Sequence, residues 1–250
     1  MPAQLASLRQ LRAHLADPPE PGSFAEEELE GVPLPVQRYF ATAIAPGTPL
    51  ARSARFRMVG SIKLGDRWVV FRARQIESPH HGFAWSACAG VIVGSDRYAG
   101  GLGAMNWRML GVVPVMRAHG TDVSRSAAGR VAAEAVWVPT ALLPRFGVRW
   151  DASDAYHITA SYRLDDTDID LRFELGDEAL VRSVVFDRWG DPEGSGTWRH
   201  HPFGFEVTGW ATFGGVTIPS AGRAGWFYGT DRWKEGEFFR SQIIEYHLVT

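Results

Sequence analysis

Apolar and polar residues alternate at period two through most of this chain, and the pattern is interrupted only once, by an alanine-rich helical stretch. From Ala54 the series Ala54, Phe56, Met58, Gly60, Ile62 and Leu64 faces one way, while Arg55, Arg57, Ser61 and Lys63 face the other. That is the signature of a strand with one wet face. Gly65-Asp66 reads as a hairpin turn into a returning strand over 67–76, and shorter strands are expected over 82–87, 90–93, 97–99 and 105–110. Beyond the interruption, Ile158, Ala160, Tyr162 and Leu164 form an inward series. Ile169, Leu171, Phe173 and Leu175 then alternate with Asp168, Asp170, Arg172 and Glu174. Further strands are predicted over 180–189, 196–200, 204–213, 216–218, 223–228 and 237–248.

The interruption is the run RSAAGRVAAEAVW, with Ser124 as its expected N-cap, giving a helix over 124–137. Ala128, Val131, Ala132 and Ala135 form its apolar face, and Pro139 and Pro144 bracket a short turn over 140–143. Strands and helices do not alternate, so a parallel doubly wound sheet is not expected. About six strands, a helix and about seven strands make a sheet too long to stay flat and open. The fold class is therefore mainly β (α+β), a large curved antiparallel sheet or half-open barrel with a central plug helix and short N-terminal helices.

Those helices precede the alternation. Leu5, Leu8, Leu11 and Leu15 recur at helical spacing, the stretch DPPEPG ends that segment, and Pro35 opens a second helix over 36–45 that Pro46-Gly47 closes. Residues 1–50 read as a helical appendage packing on the main domain or pairing with a second copy as a homodimer. Residues 51–250 read as a single antiparallel β domain. Arg9, Arg12 and His14 break any run of the roughly 7–15 apolar residues that an export signal needs, and no stretch of about 18 apolar residues occurs. The expected location is cytoplasmic, with no membrane span.

Charge and motif narrow the function classes. The net charge is −2 and the 26 basic residues are dispersed, which argues against a nucleic-acid groove. Gly100-Gly101-Leu102-Gly103 lacks a following helix and reads as a bend between strands, not a phosphate loop. His80-His81 and His200-His201 are adjacent pairs whose members point apart on a strand, so no metal site is expected. Gly194-Ser195-Gly196 is a turn rather than a nucleophile elbow. Cys88, the only cysteine, sits in an apolar strand and reads as an inert packing residue, so there is no intrachain disulfide. No cofactor and no catalytic residue are assigned.

Two features point to a site. The chain holds 10 tryptophans, which either fill a wide core or line a cavity for an apolar ligand. Arg130 and Glu134, four residues apart, share one helix face among alanines. On the surface they would be an ordinary ion pair; inside the curl they would be a clamp to strand residues such as Arg182, or a polar anchor for a ligand. The candidate ligand-binding set is Trp85, Trp107, Arg130, Glu134, Trp137, Trp150 and Trp226. The leading expectation is a binding protein for an apolar or lipid-like small molecule. The alternatives are an enzyme using Glu134 as general base with Arg130 holding an anion, and a structural or interaction module acting through the N-terminal helices.

The segments LPVQRY (34–39), GFAWSA (82–87), DRYAGGLGAM (96–105) and RVAAEAVWVPTALL (130–143) together resemble an uncharacterised bacterial family, a domain of unknown function. The order of strands, central helix and strands also resembles the periplasmic lipoprotein-carrier fold. That resemblance implies an unclosed barrel whose helices cover an apolar cavity for acyl chains.

Overall fold

The computed structural model describes residues 7–16 and 18–250; Leu5 and the start of the first predicted helix lie outside them. Helix α1 (Leu8–His14) is capped by Ser7 and Gln10 in a reciprocal capping box. A short ribbon pairs β1 (Glu20–Ser23) with β2 (Pro49–Leu50), and between them runs α2 (Leu34–Ala43). This helix begins two residues before its expected start and ends at Ile44, whose backbone is extended.

Six strands follow as antiparallel hairpins: β3 (Ala54–Leu64), β4 (Arg67–Ser78), β5 (Gly82–Ala89), β6 (Ile92–Ala99), β7 (Leu102–Met109) and β8 (Val113–His119). Helix α3 (Thr121–Glu134) and three 3-10 turns lead to β9 (Arg149–Ala152). From there β10 (His157–Leu164), β11 (Thr167–Leu175), β12 (Val181–Gly190), β13 (Arg199–Phe213), β14 (Val216–Trp226) and β15 (Glu237–Leu248) complete one sheet of 13 strands.

Its order is β8-β7-β6-β5-β4-β3-β15-β14-β13-β12-β11-β10-β9. The chain steps outward from the middle to one edge, crosses, and steps back in until β15 pairs with β3. The crossing segment is α3, so the helix must span the curl, and it touches β6, β7 and β8 on one half and β11 and β12 on the other. The sheet is antiparallel, curved and unclosed, in keeping with the expected curved sheet or half-open barrel.

Three expectations change in detail. Helix α3 starts at Thr121, because Gly120 with φ of 112° turns the chain out of β8. Ser124 lies inside the helix and is buried; its Oγ accepts the backbone N–H of Gly103 at 2.9 Å, so it ties helix to strand and is no cap. The last residues of the predicted helix, Ala135–Trp137, are a 3-10 turn. Several predicted breaks are also continuous strand. Residues 199–200 and 204–213 fall in β13, residues 216–218 and 223–226 belong to β14, and residues 92–99 form β6, while 196–198 are not strand. Gly204 of β13 and Gly222 of β14 serve as seats for rings: a Cβ on Gly204 would lie 2.2 Å from Tyr228, and one on Gly222 would lie 2.5 Å from Phe205. Strands β8 and β9 have no counterpart in the sequence reading. Most of β8 is exposed and its apolar residues do not alternate, so the periodicity that marks a half-buried strand is missing there.

Helix α2 places Val36, Tyr39, Phe40 and Ala43 in the main core, where Tyr39 and Phe40 meet Trp150 and Phe173. Helix α1 lies on the other side of the sheet, where Leu11 and Leu15 cover Ile76, Ala84 and Ala99. Cys88 is exposed on that outer face and is no packing residue. No described helix is long and apolar enough to cross a membrane.

Candidate functional site

The concave face carries polar groups where the alternation requires apolar ones. Phe71, Ala73, Gln75 and Glu77 share the inward side of β4, as do Val184, Phe186 and Arg188 on β12. Gln75 stands opposite Trp85, and Trp85 opposite Asp96. Helix α3 lowers Arg130 and Glu134 onto this row.

Small residues make the approach possible. A Cβ at Gly103 would lie 2.8 Å from Ser124 Cα, and one at Gly129 would lie 3.0 Å from the Phe186 ring. At Gly103 the strand backbone meets the helix backbone directly, and at Gly129 the helix backbone rests on the Phe186 ring. Gly94 likewise receives the Trp107 ring and Gly190 the Trp226 ring, with added Cβ atoms falling 2.5 and 2.4 Å from ring carbons.

The Arg130 guanidinium is the hub. Its Nη1 donates to Asp96 Oδ2 at 2.9 Å and its Nε to Glu134 Oε1 at 2.8 Å. It rests 4.4 Å from the Phe83 ring centre and 4.9 Å from that of Trp85. The side chains are only 17% (Arg130), 13% (Asp96) and 13% (Glu134) exposed, so this is no solvent-facing helix pair. The clamp reaches Asp96 and Gln75 and does not involve Arg182, which lies against Gly176. Gln75 Nε2 donates to both Glu134 and Glu77, and Trp107 Nε1 donates to Asp96 Oδ1 at 2.8 Å.

Burial works against the charge of Arg130, but Glu134 and Asp96 outweigh it and hold the guanidinium above its ordinary value. Burial raises the Asp96 carboxyl, with Arg130 opposing. Glu77, fully buried, is pushed well up by burial and then by the Glu134 charge. Its Oε1, like Gln75 Oε1 and Trp85 Nε1, meets no hydrogen-bonding group among the described residues.

A raised carboxyl means that the folded state holds a proton the unfolded chain releases. Stability contributed this way is present below the ordinary glutamate pKa of about 4.3 and is lost as pH rises through the raised value. Glu77→Gln is therefore expected to flatten the fall in melting temperature from pH 4 upward and to be the more stable protein at pH 8. Thermal denaturation across that range checks it, and parallel curves for the two proteins would show that Glu77 is ionised when folded.

Arg188 is the second cation. It rests 4.7 Å from the Phe203 ring and 4.9 Å from the Trp226 ring, and its Nε donates to Ser126 O at 3.3 Å. Among the described residues no carboxylate pairs with it, and nothing accepts from its two terminal nitrogens. Burial, then repulsion from Arg130, pushes its pKa down to about 10, so it remains charged at neutral pH.

Around the two guanidiniums runs a band of partly buried apolar side chains: Ile62, Val69, Trp107, Trp226, Phe238 and Phe239. The rings touch in two groups, Trp85 with Trp107 at 5.4 Å and Phe71 with Phe239 at 5.1 Å on one side, and Phe203 with Trp226 at 5.1 Å on the other.

Of the residues expected to line a cavity, Trp85, Trp107, Arg130 and Glu134 come together, and Trp226 joins through Arg188. Trp137 and Trp150 do not. Trp137 donates to Pro219 O and packs edge-on against Phe56, while Trp150 donates to Leu142 O in the α2 core. Beside α2 a void of about 10 Å³ is smaller than any ligand. The residues that sequence reasoning missed are Gln75, Glu77, Asp96 and Arg188.

The histidine pairs stay apart. His80 and His81 lie in the turn after β4 rather than on a strand, and His80 Nε2 bonds Ala141 O. His200 is exposed against Trp189, while His201 is buried beside Trp226.

Residues 22–238 match the model of DUF6544, a family of unknown function, and the chain belongs to it. No curated protein matches. Among the solved structures that the chain is similar to, three illustrate the likeness, all at low identity. The first is a putative outer membrane lipoprotein-sorting protein domain from Vibrio parahaemolyticus, at TM-score 0.44 and 7% identity over 85% of this chain and 90% of that one. The second is a LolA superfamily protein from Nitrosomonas europaea, at 0.45 and 11% over 79% and 86%. The third is a DUF1329 family protein from Desulfovibrio piger, at 0.41 and 10% over 79% and 86%.

Proposed function

We propose that this family member is a non-catalytic binding protein that takes an apolar ligand with an acidic head group at the aromatic band of the concave face, beside α3. The observation that carries this reading is the pairing of the band with Arg188. Partly exposed rings offer an apolar surface, and a guanidinium with two unbonded terminal nitrogens offers bidentate donors to a carboxylate or phosphate. The sheet is already packed where α3 covers it, so the ligand's tail needs the helix to move aside. Gly129 and the alanines give α3 little apolar grip for its length, so the cost of such a movement falls mainly on the polar contacts of Arg130 and Glu134 with Asp96 and Gln75.

An enzymatic role for Glu134 finds less support. One of its oxygens accepts from Arg130 and the other from Gln75, which leaves it poorly placed to take a substrate proton.

Palmitate titrated into ligand-stripped protein is expected to quench tryptophan fluorescence saturably. Arg188→Met should weaken that binding roughly tenfold, the loss of one charge-assisted contact. Absence of quenching at any soluble palmitate concentration would rule the reading out.

A further inference from the structure

The outer face of the sheet carries a second feature, unrelated to the aromatic band. A groove of about 660 Å³ runs across β15, β3, β4, β5 and β6, lined by Arg57, Arg72, Arg74, Ser86, Cys88 and Val93 among others. Its registers put like charges side by side: Arg57 stands directly opposite Arg74, and Arg74 opposite Ser86. Arg12 of α1 reaches in from the flank and donates to Ser86 Oγ at 2.7 Å. Like charges directly opposite across a strand pair destabilise a sheet. Four guanidiniums thus gather here, and among the described residues the one carboxylate paired with any of them is Glu245, which meets Arg57 at 3.4 Å with both side chains about half exposed. Such exposed pairs contribute little. Arg72 and Arg74 have no ion pair among the described residues. The whole chain is slightly acidic, with net charge −2, so the concentration of positive charge is local.

We infer that this groove is a binding site for a small organic phosphate, held by Arg72 and Arg74 with Arg12 and Arg57 flanking. The planar fork of arginine matches phosphate oxygens in pairs, and a cluster of forks favours a polyanion over a single carboxylate. The volume suits a small metabolite, and Val59, Val93 and Ile244 give its organic part apolar walls. The inference stands whatever occupies the concave face, because the two sites lie on opposite sides of the sheet.

Cys88 supplies an internal reporter. It is the only cysteine of the chain, it is exposed, and it lines the groove. Inorganic pyrophosphate, used as the probe at low ionic strength, is expected to slow alkylation of Cys88 by the neutral reagent iodoacetamide at least fivefold. The Arg72→Gln/Arg74→Gln protein should melt no lower than the wild type and keep its unprotected labelling rate while losing the protection. Added salt should weaken protection in the wild type. Labelling unaffected by millimolar pyrophosphate would overturn the inference, as would protection that survives the double substitution. Vesicles of phosphatidylglycerol form the second arm. If they protect Cys88 through the same two arginines while pyrophosphate does not, the site takes a membrane head group and the small-molecule assignment is wrong.

Discussion

Replacing Arg130 by methionine is expected to lower the stability of the fold by about 3–5 kcal/mol, the usual cost of stranding buried charge. Asp96 and Glu134 both lean on this one guanidinium, at 2.9 and 2.8 Å, and both are nearly enclosed. Without it, two carboxylates face each other beneath α3 and must either take up protons or draw in water. Arg130→Lys should recover only part of the loss, since a single ammonium cannot fork to two separate acceptors. The triple substitution Arg130→Met, Asp96→Asn, Glu134→Gln removes charge and countercharge together and should restore most of the stability. Urea denaturation of the four proteins provides the comparison. A single mutant as stable as the wild type would mean that α3 is not anchored through this network.

The second large effect is expected at Gly103. An added Cβ there falls 2.8 Å from Ser124 Cα and 2.9 Å from both Ala127 Cβ and Val123 O, so the obstruction is mostly backbone and cannot rotate away. Gly103→Ala must push α3 off β7 and stretch the bond from Gly103 N–H to Ser124 Oγ. Overpacking of this kind costs about 1–3 kcal/mol. If α3 is the element that a ligand displaces, the same substitution should expose the aromatic band and increase binding of an environment-sensitive dye such as anilinonaphthalene sulfonate. An unchanged urea midpoint would show that the helix does not rest on β7.

Much of the architecture was legible in the chain because one-sided burial writes itself into the sequence. Strand β11 shows this best: Ile169, Leu171, Phe173 and Leu175 are all buried while the residues between them are exposed or partly so, as the alternation requires. The four residues assigned to the apolar face of the helix, Ala128, Val131, Ala132 and Ala135, are all buried too. Legibility failed where burial is two-sided or absent. Gly129 and Ala133 are also buried, because the sheet curls round the helix, and a helix enclosed on most sides has no single face to detect.

The site was half visible. Arg130 and Glu134 stood out because charged residues among alanines are conspicuous. Their partners were hidden in plain strand sequence, although Gln75, Glu77 and Arg188 each occupy an inward position in an otherwise apolar series. A polar residue in that register is the signal that could have found them. What no register could supply is the pairing of strands distant in sequence, which sets Arg188 on β12 near Arg130 and the β6 carboxylate of Asp96.

The central claim is that an apolar tail lies against Trp107 and Trp226, and contact quenching tests it most directly. A fatty acid carrying bromine at its far end quenches only those indoles it touches. The expected result is saturable quenching of the wild type, largely lost in Trp107→Phe/Trp226→Phe although eight other tryptophans remain. Quenching that persists undiminished in that variant would place the ligand elsewhere and contradict the claim.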